Sequence, residues 1–160
     1  MDDTTTKQTP SAQAAGWLAA FDAALSARDL SGALALFDDD CYWRDLVAFT
    51  WNIRTQEGKD AIRDMLSACL DATRPGGFAL EGEPTEADGV VDAWFRFETG
   101  AARGRGHLRL KGGRCWTLLT TMTELKGHEE PAGTRRPQGA EHGVQRGRKN
   151  WIEQRREHEA

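Results

Sequence analysis

The chain has little cysteine, and its cysteines are poorly placed for cross-linking or metal binding. Among 160 residues there are 3 cysteines, Cys41, Cys69 and Cys115, and no two of them form a CxxC pair. An odd number of widely spaced cysteines suggests neither a disulfide framework nor a zinc site. We therefore expect buried free thiols, which pack like small apolar side chains.

Long hydrophobic runs and an excess of basic residues are also missing. No apolar run approaches the ~20 residues that cross a bilayer, and the start, MDDTTTKQTP, lacks the basic and apolar regions of a signal peptide. The formal net charge is −4, so the chain has no overall positive field to attract nucleic acid or anionic lipid. These absences predict a soluble, cytoplasmic protein that binds neither nucleic acid nor a membrane.

What the chain does contain is a helical pattern in its first half. Thr9 followed by Pro10 is typical of a helix start. The next apolar residues have the i, i+3, i+4 spacing of one buried stripe: Ala14, Trp17, Leu18, Phe21 and Leu25. A shorter second helix is predicted over 30–37, ended by the acidic run 38–40. A third helix is predicted from Lys59 to Asp71, before a Pro-Gly-Gly stop.

After Gly77 the hydrophobic period falls to about two, which indicates strands. Apolar and polar residues alternate over 90–99 and again over 106–110, where His107 and Arg109 alternate with leucines. The GGR sequence at 112–114 predicts a tight turn into a last strand. Helices followed by antiparallel strands indicate an α+β fold in which three helices cover one face of a curved, mostly antiparallel sheet.

Three regions follow from these patterns: a disordered leader (1–9), a folded domain (10–126) and an extended polar arm or linker (127–160). The arm has almost no apolar residues before Trp151 and Ile152, so it cannot form its own core. It is either a flexible linker or an arm that docks through these two residues and becomes helical there.

The order of three helices, a short strand at 40–46 and a terminal antiparallel meander resembles the nuclear transport factor 2-like fold. This resemblance implies a cone in which a bent sheet wraps a long helix and leaves a cavity at the wide end. Ketosteroid isomerases, scytalone dehydratases, limonene-epoxide hydrolases, polyketide cyclases and plain binding domains share that cone, so the fold alone implies no single function.

A narrower resemblance rests on four stretches: YWRDLVAFTWNIRTQEGKDAI (42–62), GRGHLRL (104–110), WTLLTTMTELKGHEEP (116–131) and RRPQGAEHGVQRGRKNWIEQRREHE (135–159). They resemble the amino-terminal region of bacterial flavin-dependent monooxygenases, where such a domain precedes the FAD- and NADPH-binding body. The resemblance implies an accessory domain or fragment, partnered by a fused or neighbouring flavoprotein domain.

The dinucleotide-binding motif itself is missing, because no G-x-G-x-x-G opens a helix. The nearest string, Gly104-Arg105-Gly106, has Arg109 where the third glycine should be, and it is interpreted as a turn. FAD and NADPH are therefore expected only in the partner, and this chain is expected to bind no cofactor.

Candidate chemistry centres on the strand CYWRDL (41–46). Strand alternation places Cys41, Trp43 and Asp45 on one face and Arg44 on the other. In cone-fold enzymes a residue near the end of this strand commonly faces the cavity, so the resemblance implies Asp45 as a base or hydrogen-bond acceptor.

His107 and Arg109 are expected on the opposite wall of that cavity. His107 would act as acid or base, and Arg109 would hold Asp45 ionised or bind an anion. The alternatives remain open: Asp45 bonded to backbone amides at a strand end, with His107 and Arg109 on a solvated strand face.

Five aromatic residues are candidates for lining an apolar ligand pocket, and a packed core is the alternative: Tyr42, Trp43, Trp51, Trp94 and Trp116. No metal site is predicted, because His128, His142 and His158 lie in polar tail sequence without ligand spacing.

Three functions are left open. The chain is an accessory domain of a flavin monooxygenase, or a stand-alone hydrolase, dehydratase, isomerase or cyclase acting on an apolar small molecule through Asp45 and His107, or a non-catalytic dimeric ligand-binding domain. A homodimer through the outer sheet face is an expectation taken from the fold.

Overall fold

The computed structural model describes residues 7–137, 139, 147 and 149–158. The chain divides into two compact units, Met1–Glu129 and Glu130–Ala160. Most of the expected leader (1–6) and His142 of the arm lie outside the described residues.

Helices form where the apolar spacing predicts them. The first unit contains α1 (Pro10–Ser26), α2 (Leu30–Ala35) and α3 (Gly58–Thr73), and the second contains α4 (Trp151–His158). Thr9 caps α1, its side-chain oxygen accepting from the Ala12 amide at 3.1 Å. The predicted stripe of α1 is buried throughout. No helix in the described ranges is long and apolar enough to span a membrane.

The strands of the described residues form one six-stranded sheet. They are β1 (Phe37–Leu46), β2 (Ile53–Glu57), β3 (Gly76–Ala87), β4 (Val90–Glu98), β5 (Ala102–Lys111) and β6 (Arg114–Leu125). Their order is β2-β1-β6-β5-β4-β3, in which β1 and β6 are parallel and the other neighbours antiparallel. The predicted α+β class, with helices over a mostly antiparallel sheet, is confirmed.

Two local predictions about backbone structure are wrong. Phe37 does not end the second helix but begins β1, because its ring is fully buried among the core aromatics and its backbone pairs with Cys115. Gly104-Arg105-Gly106 is not a turn but the middle of β5. A Cβ at Gly106 would lie 2.1 Å from Phe95 Cζ, so the glycine is there because an aromatic ring lies against the backbone.

Aromatic side chains fill the space between the sheet and the helices. Eight rings of the described residues pack in stacked, tilted or edge-to-face pairs with centroids 4.7–6.2 Å apart. They belong to Trp17, Phe21, Phe37, Trp43, Phe49, Phe78, Phe95 and Phe97. The interior around Trp43 and Phe95 is therefore packed core.

Candidate functional site

Asp45, the first candidate, lies at the end of β1 and is completely buried. Its carboxylate accepts hydrogen bonds from the Phe49 amide at 3.0 Å, the Thr50 amide at 2.8 Å and the Thr50 hydroxyl at 2.8 Å, all on Oδ2. The Thr120 hydroxyl donates to Oδ1 at 2.7 Å. The carboxylate thus ties the 47–52 loop to the end of β1, as the strand-end alternative describes.

Thr120, which sequence reasoning missed, links this carboxylate to the core. Its hydroxyl accepts from Trp43 Nε1 at 2.9 Å and donates to Asp45. Thr120 is fully buried on β6, directly beside Asp45 in the parallel register. Only that register, which joins residues 75 positions apart, identifies Thr120 as a partner.

His107 and Arg109 do not face Asp45, and that expectation is wrong. We call the sheet face that carries Trp43 and Asp45 the inner face and the opposite one the outer face. Asp45 of β1 is in register with Thr120 of β6, which is in register with Gly106 of β5. Because glycine has no side chain, β5 presents none at this position of the inner face. His107 is in register with Leu119 and lies on the outer face with Arg109.

On the outer face, His107 and Arg109 share one acidic partner. His107 Nε2 lies 3.1 Å and Arg109 Nε 3.0 Å from Asp92 Oδ1. Burial lowers the pKa of His107, the charge of Arg109 lowers it further, and Asp92 opposes both. Trp94 packs on the His107 ring at 4.6 Å and carries the Arg105 guanidinium over its own ring at 4.4 Å.

The five candidate pocket aromatics do not come together. Trp43 is in the core, while Tyr42 and Trp94 are 38% and 43% exposed on the outer face. Trp116 holds Lys111 Nζ 3.4 Å above its ring. Trp51 is 62% exposed in the 47–52 loop, where it lines a groove.

That groove, hereafter the α3 groove, lies between α3 and the segment 49–56. It has a volume of about 510 Å³. One side is formed by Phe49, Thr50, Trp51, Arg54 and Gln56, and the other by residues of α3 that include Asp64, Met65, Ala68 and Cys69. The thiol of Cys69 is half-buried, and burial raises its pKa, so it is mostly protonated near neutral pH.

Metal ligands are not clustered in the described part of the chain. No group of three or more His, Cys, Asp or Glu side chains there is arranged to hold a metal ion. Cys41 and Cys115 are buried free thiols, as predicted, and burial raises the pKa of both.

Comparison with known proteins identifies the fold. The family model described as the SnoaL-like domain matches residues 18–121. No curated protein matches the chain significantly. A nuclear transport factor 2-like protein of unknown function from Mesorhizobium loti is 19% identical, with 74% of this chain and 97% of that chain covered and a TM-score of 0.52.

Two further solved structures are similar. RV0760c from Mycobacterium tuberculosis is 18% identical, with 74% of this chain and 95% of that one covered and a TM-score of 0.53. The orange carotenoid protein of Anabaena (Nostoc) sp. PCC 7120, solved with canthaxanthin, is 16% identical over 66% of this chain but only 35% of its own, with a TM-score of 0.51. At these identities the similarity shows a shared fold, and the expected cone is confirmed.

Proposed function

This chain belongs to the SnoaL-like domain family, and we propose that it serves as a non-catalytic accessory module of a flavin-dependent monooxygenase. The observation that carries the non-catalytic part is the occupied interior of the cone. Asp45 is the one buried carboxylate among the described residues, and protein donors surround it. A general base needs a lone pair within reach of a substrate proton.

The stand-alone enzyme is the weaker alternative for the same reason. It requires Asp45 and His107 to act on one substrate, yet these residues lie on opposite faces of the sheet. Arg109, its third member, is paired with Asp92.

Support for a flavoprotein partner comes from the sequence stretches quoted above, which extend into the arm beyond what the cone requires. In this proposal FAD and NADPH are held by the partner, and the arm contacts it through Trp151 and Ile152, which are 68% and 46% exposed. The orange carotenoid protein is a precedent for this cone as one part of a longer chain, since the matched region is 35% of that protein.

The proposal is tested by mixing the purified chain with FAD, and separately with the flavoprotein encoded in frame or beside it. We expect no FAD to remain with the chain after gel filtration, and a stable complex with the flavoprotein that Trp151→Ala weakens. Retention of FAD by the chain, or the failure of the flavoprotein to form a complex with it, would contradict the proposal.

The occupied interior is tested separately by NMR, using the indole N–H signal of Trp43. Because Trp43 is completely buried and donates to Thr120, apolar fragments should leave its signal unchanged, and Trp43→Phe assigns it. A fragment that shifts this signal would show that the interior accepts ligands and would favour an enzyme.

A second candidate function is a homodimeric binding domain, and the exposed aromatics of the outer face favour it. Tyr42 and Trp94 present apolar area beside the paired charges of His107, Arg109 and Asp92, a mixture typical of protein interfaces. Sedimentation should then show a dimer that Trp94→Glu converts to monomer. A monomeric wild-type chain would exclude this candidate.

A further inference from the structure

The α3 groove has the size of a small-molecule site, and it lies outside the aromatic core. Its volume of about 510 Å³ falls within the ~300–1,000 Å³ usual for ligand pockets. The lining of the groove is mixed, because it combines apolar side chains such as Phe49 and Met65 with polar ones such as Gln56.

Two residues of the groove specify what would bind there. Trp51 is 62% exposed, which leaves a large part of its indole surface without a protein neighbour in the groove. The side chain of Arg54 has no hydrogen-bond or ion-pair partner among the described residues. A free guanidinium binds a carboxylate through two parallel hydrogen bonds, while an indole binds a flat ring by stacking.

The loop that carries Trp51 is tied to the end of β1 by hydrogen bonds to Asp45. Val47 and Trp51 have φ values of 71° and 54°, a region that side chains with a Cβ seldom adopt. The buried carboxylate of Asp45 holds this loop through Phe49 and Thr50. A site formed before ligand arrives avoids the ordering cost that weakens binding to flexible loops.

We propose that the α3 groove binds a small planar aromatic carboxylate, with the ring against Trp51 and the carboxylate on Arg54. Asp64 also lines the groove and forms no ion pair with Arg54. Its negative charge opposes an anionic ligand, so it provides a matched control of opposite sign. This site is independent of the accessory role, because it neither requires nor excludes a flavoprotein partner.

The test uses the isotope-labelled full chain, with naphthoate as the probe and the neutral naphthamide as its isostere. Two-dimensional amide NMR spectra should shift at residues 49–56 and 61–73 and at the Trp51 indole N–H, and naphthoate should bind more tightly. Arg54→Gln should weaken naphthoate about tenfold, the loss of one charge-assisted contact, and leave naphthamide unchanged. Trp51→Ala should weaken both probes, and Asp64→Asn should weaken neither.

Several outcomes would overturn the proposal. These are the absence of shifts at millimolar probe, shifts confined to other surfaces, equal affinity for the two probes, or equal losses of both on Arg54→Gln. Arg54, Trp51 and Asp64 are exposed, so the variants should fold, and well-dispersed spectra would establish that. A shift of the Trp43 indole signal instead would place the ligand in the interior. That result would contradict both the groove site and the accessory role.

Discussion

At the scale of single residues, the chain of hydrogen bonds from Trp43 through Thr120 to Asp45 is the most sensitive feature. Thr120→Val keeps the volume but leaves a buried indole N–H and a buried carboxylate each short of a partner. We expect the free energy of unfolding to fall by about 2–4 kcal/mol in urea titrations. Thr120→Ser keeps the hydroxyl and should cost only about 1 kcal/mol. Equal losses in the two variants would mean that the bonds contribute little.

Gly106 is a second sensitive residue, because its missing side chain makes room for Phe95. A Cβ there would lie 2.1 Å from Phe95 Cζ and 2.5 Å from the Leu119 carbonyl oxygen. Gly106→Ala should therefore destabilise the protein by about 2–3 kcal/mol. Gly16→Ala on α1 is the control, since nothing lies within 4 Å of its Cβ position, and it should stabilise by about 0.5–1 kcal/mol. Thermal unfolding of both variants checks the difference in sign.

His107 makes the protein less stable as the pH falls. Its pKa is lowered in the folded state, so the unfolded chain binds the proton more tightly. The contribution of His107 to stability is full above the pKa of the unfolded chain, about 6.5. It is lost as the pH falls from that pKa to the lowered pKa of the folded state. Unfolding titrations from about pH 8 to pH 5 should show wild type losing stability relative to His107→Gln. A constant or reversed difference would contradict this direction.

At the scale of elements, the sequence predicted what depends on neighbours within a few residues. The cap at Thr9, the buried stripe of α1 and the alternation that separates Arg44 from Asp45 all appear in the structure. Phe37 was misassigned because the spacing of a short apolar run fits a helix or the start of a strand, and burial against distant rings decided it.

The site was harder to predict than the elements, because strand faces must be aligned across the sheet. Alternation correctly separated His107 from the leucines of β5. Only the register of β1, β6 and β5 shows that His107 and Asp45 lie on opposite faces of the sheet. Trp51 was named as a candidate aromatic, but Arg54 was overlooked as its partner because β2 is short and mostly exposed.

At the scale of the whole molecule, the first unit should be independent of the second. The buried core lies entirely in the first unit, and every described residue from Glu130 onward is exposed. A chain ending at Glu129 should therefore keep its thermal midpoint within about 3 °C of the full chain, the shift produced by less than about 1 kcal/mol. Circular dichroism melts test this, and a larger drop would assign a stabilising role to the arm.

The parallel pairing of β1 with β6 determines when the protein can fold. β1 is made early and lies inside the sheet, but β6, one of its two neighbours, is the last of the six strands to be synthesised. Contacts between such distant residues slow folding, and one edge of β1 stays unpaired while they form. A nascent chain that stops short of β6 therefore exposes Trp43 and its neighbours, so the growing polypeptide needs protection from aggregation until its final strand is complete.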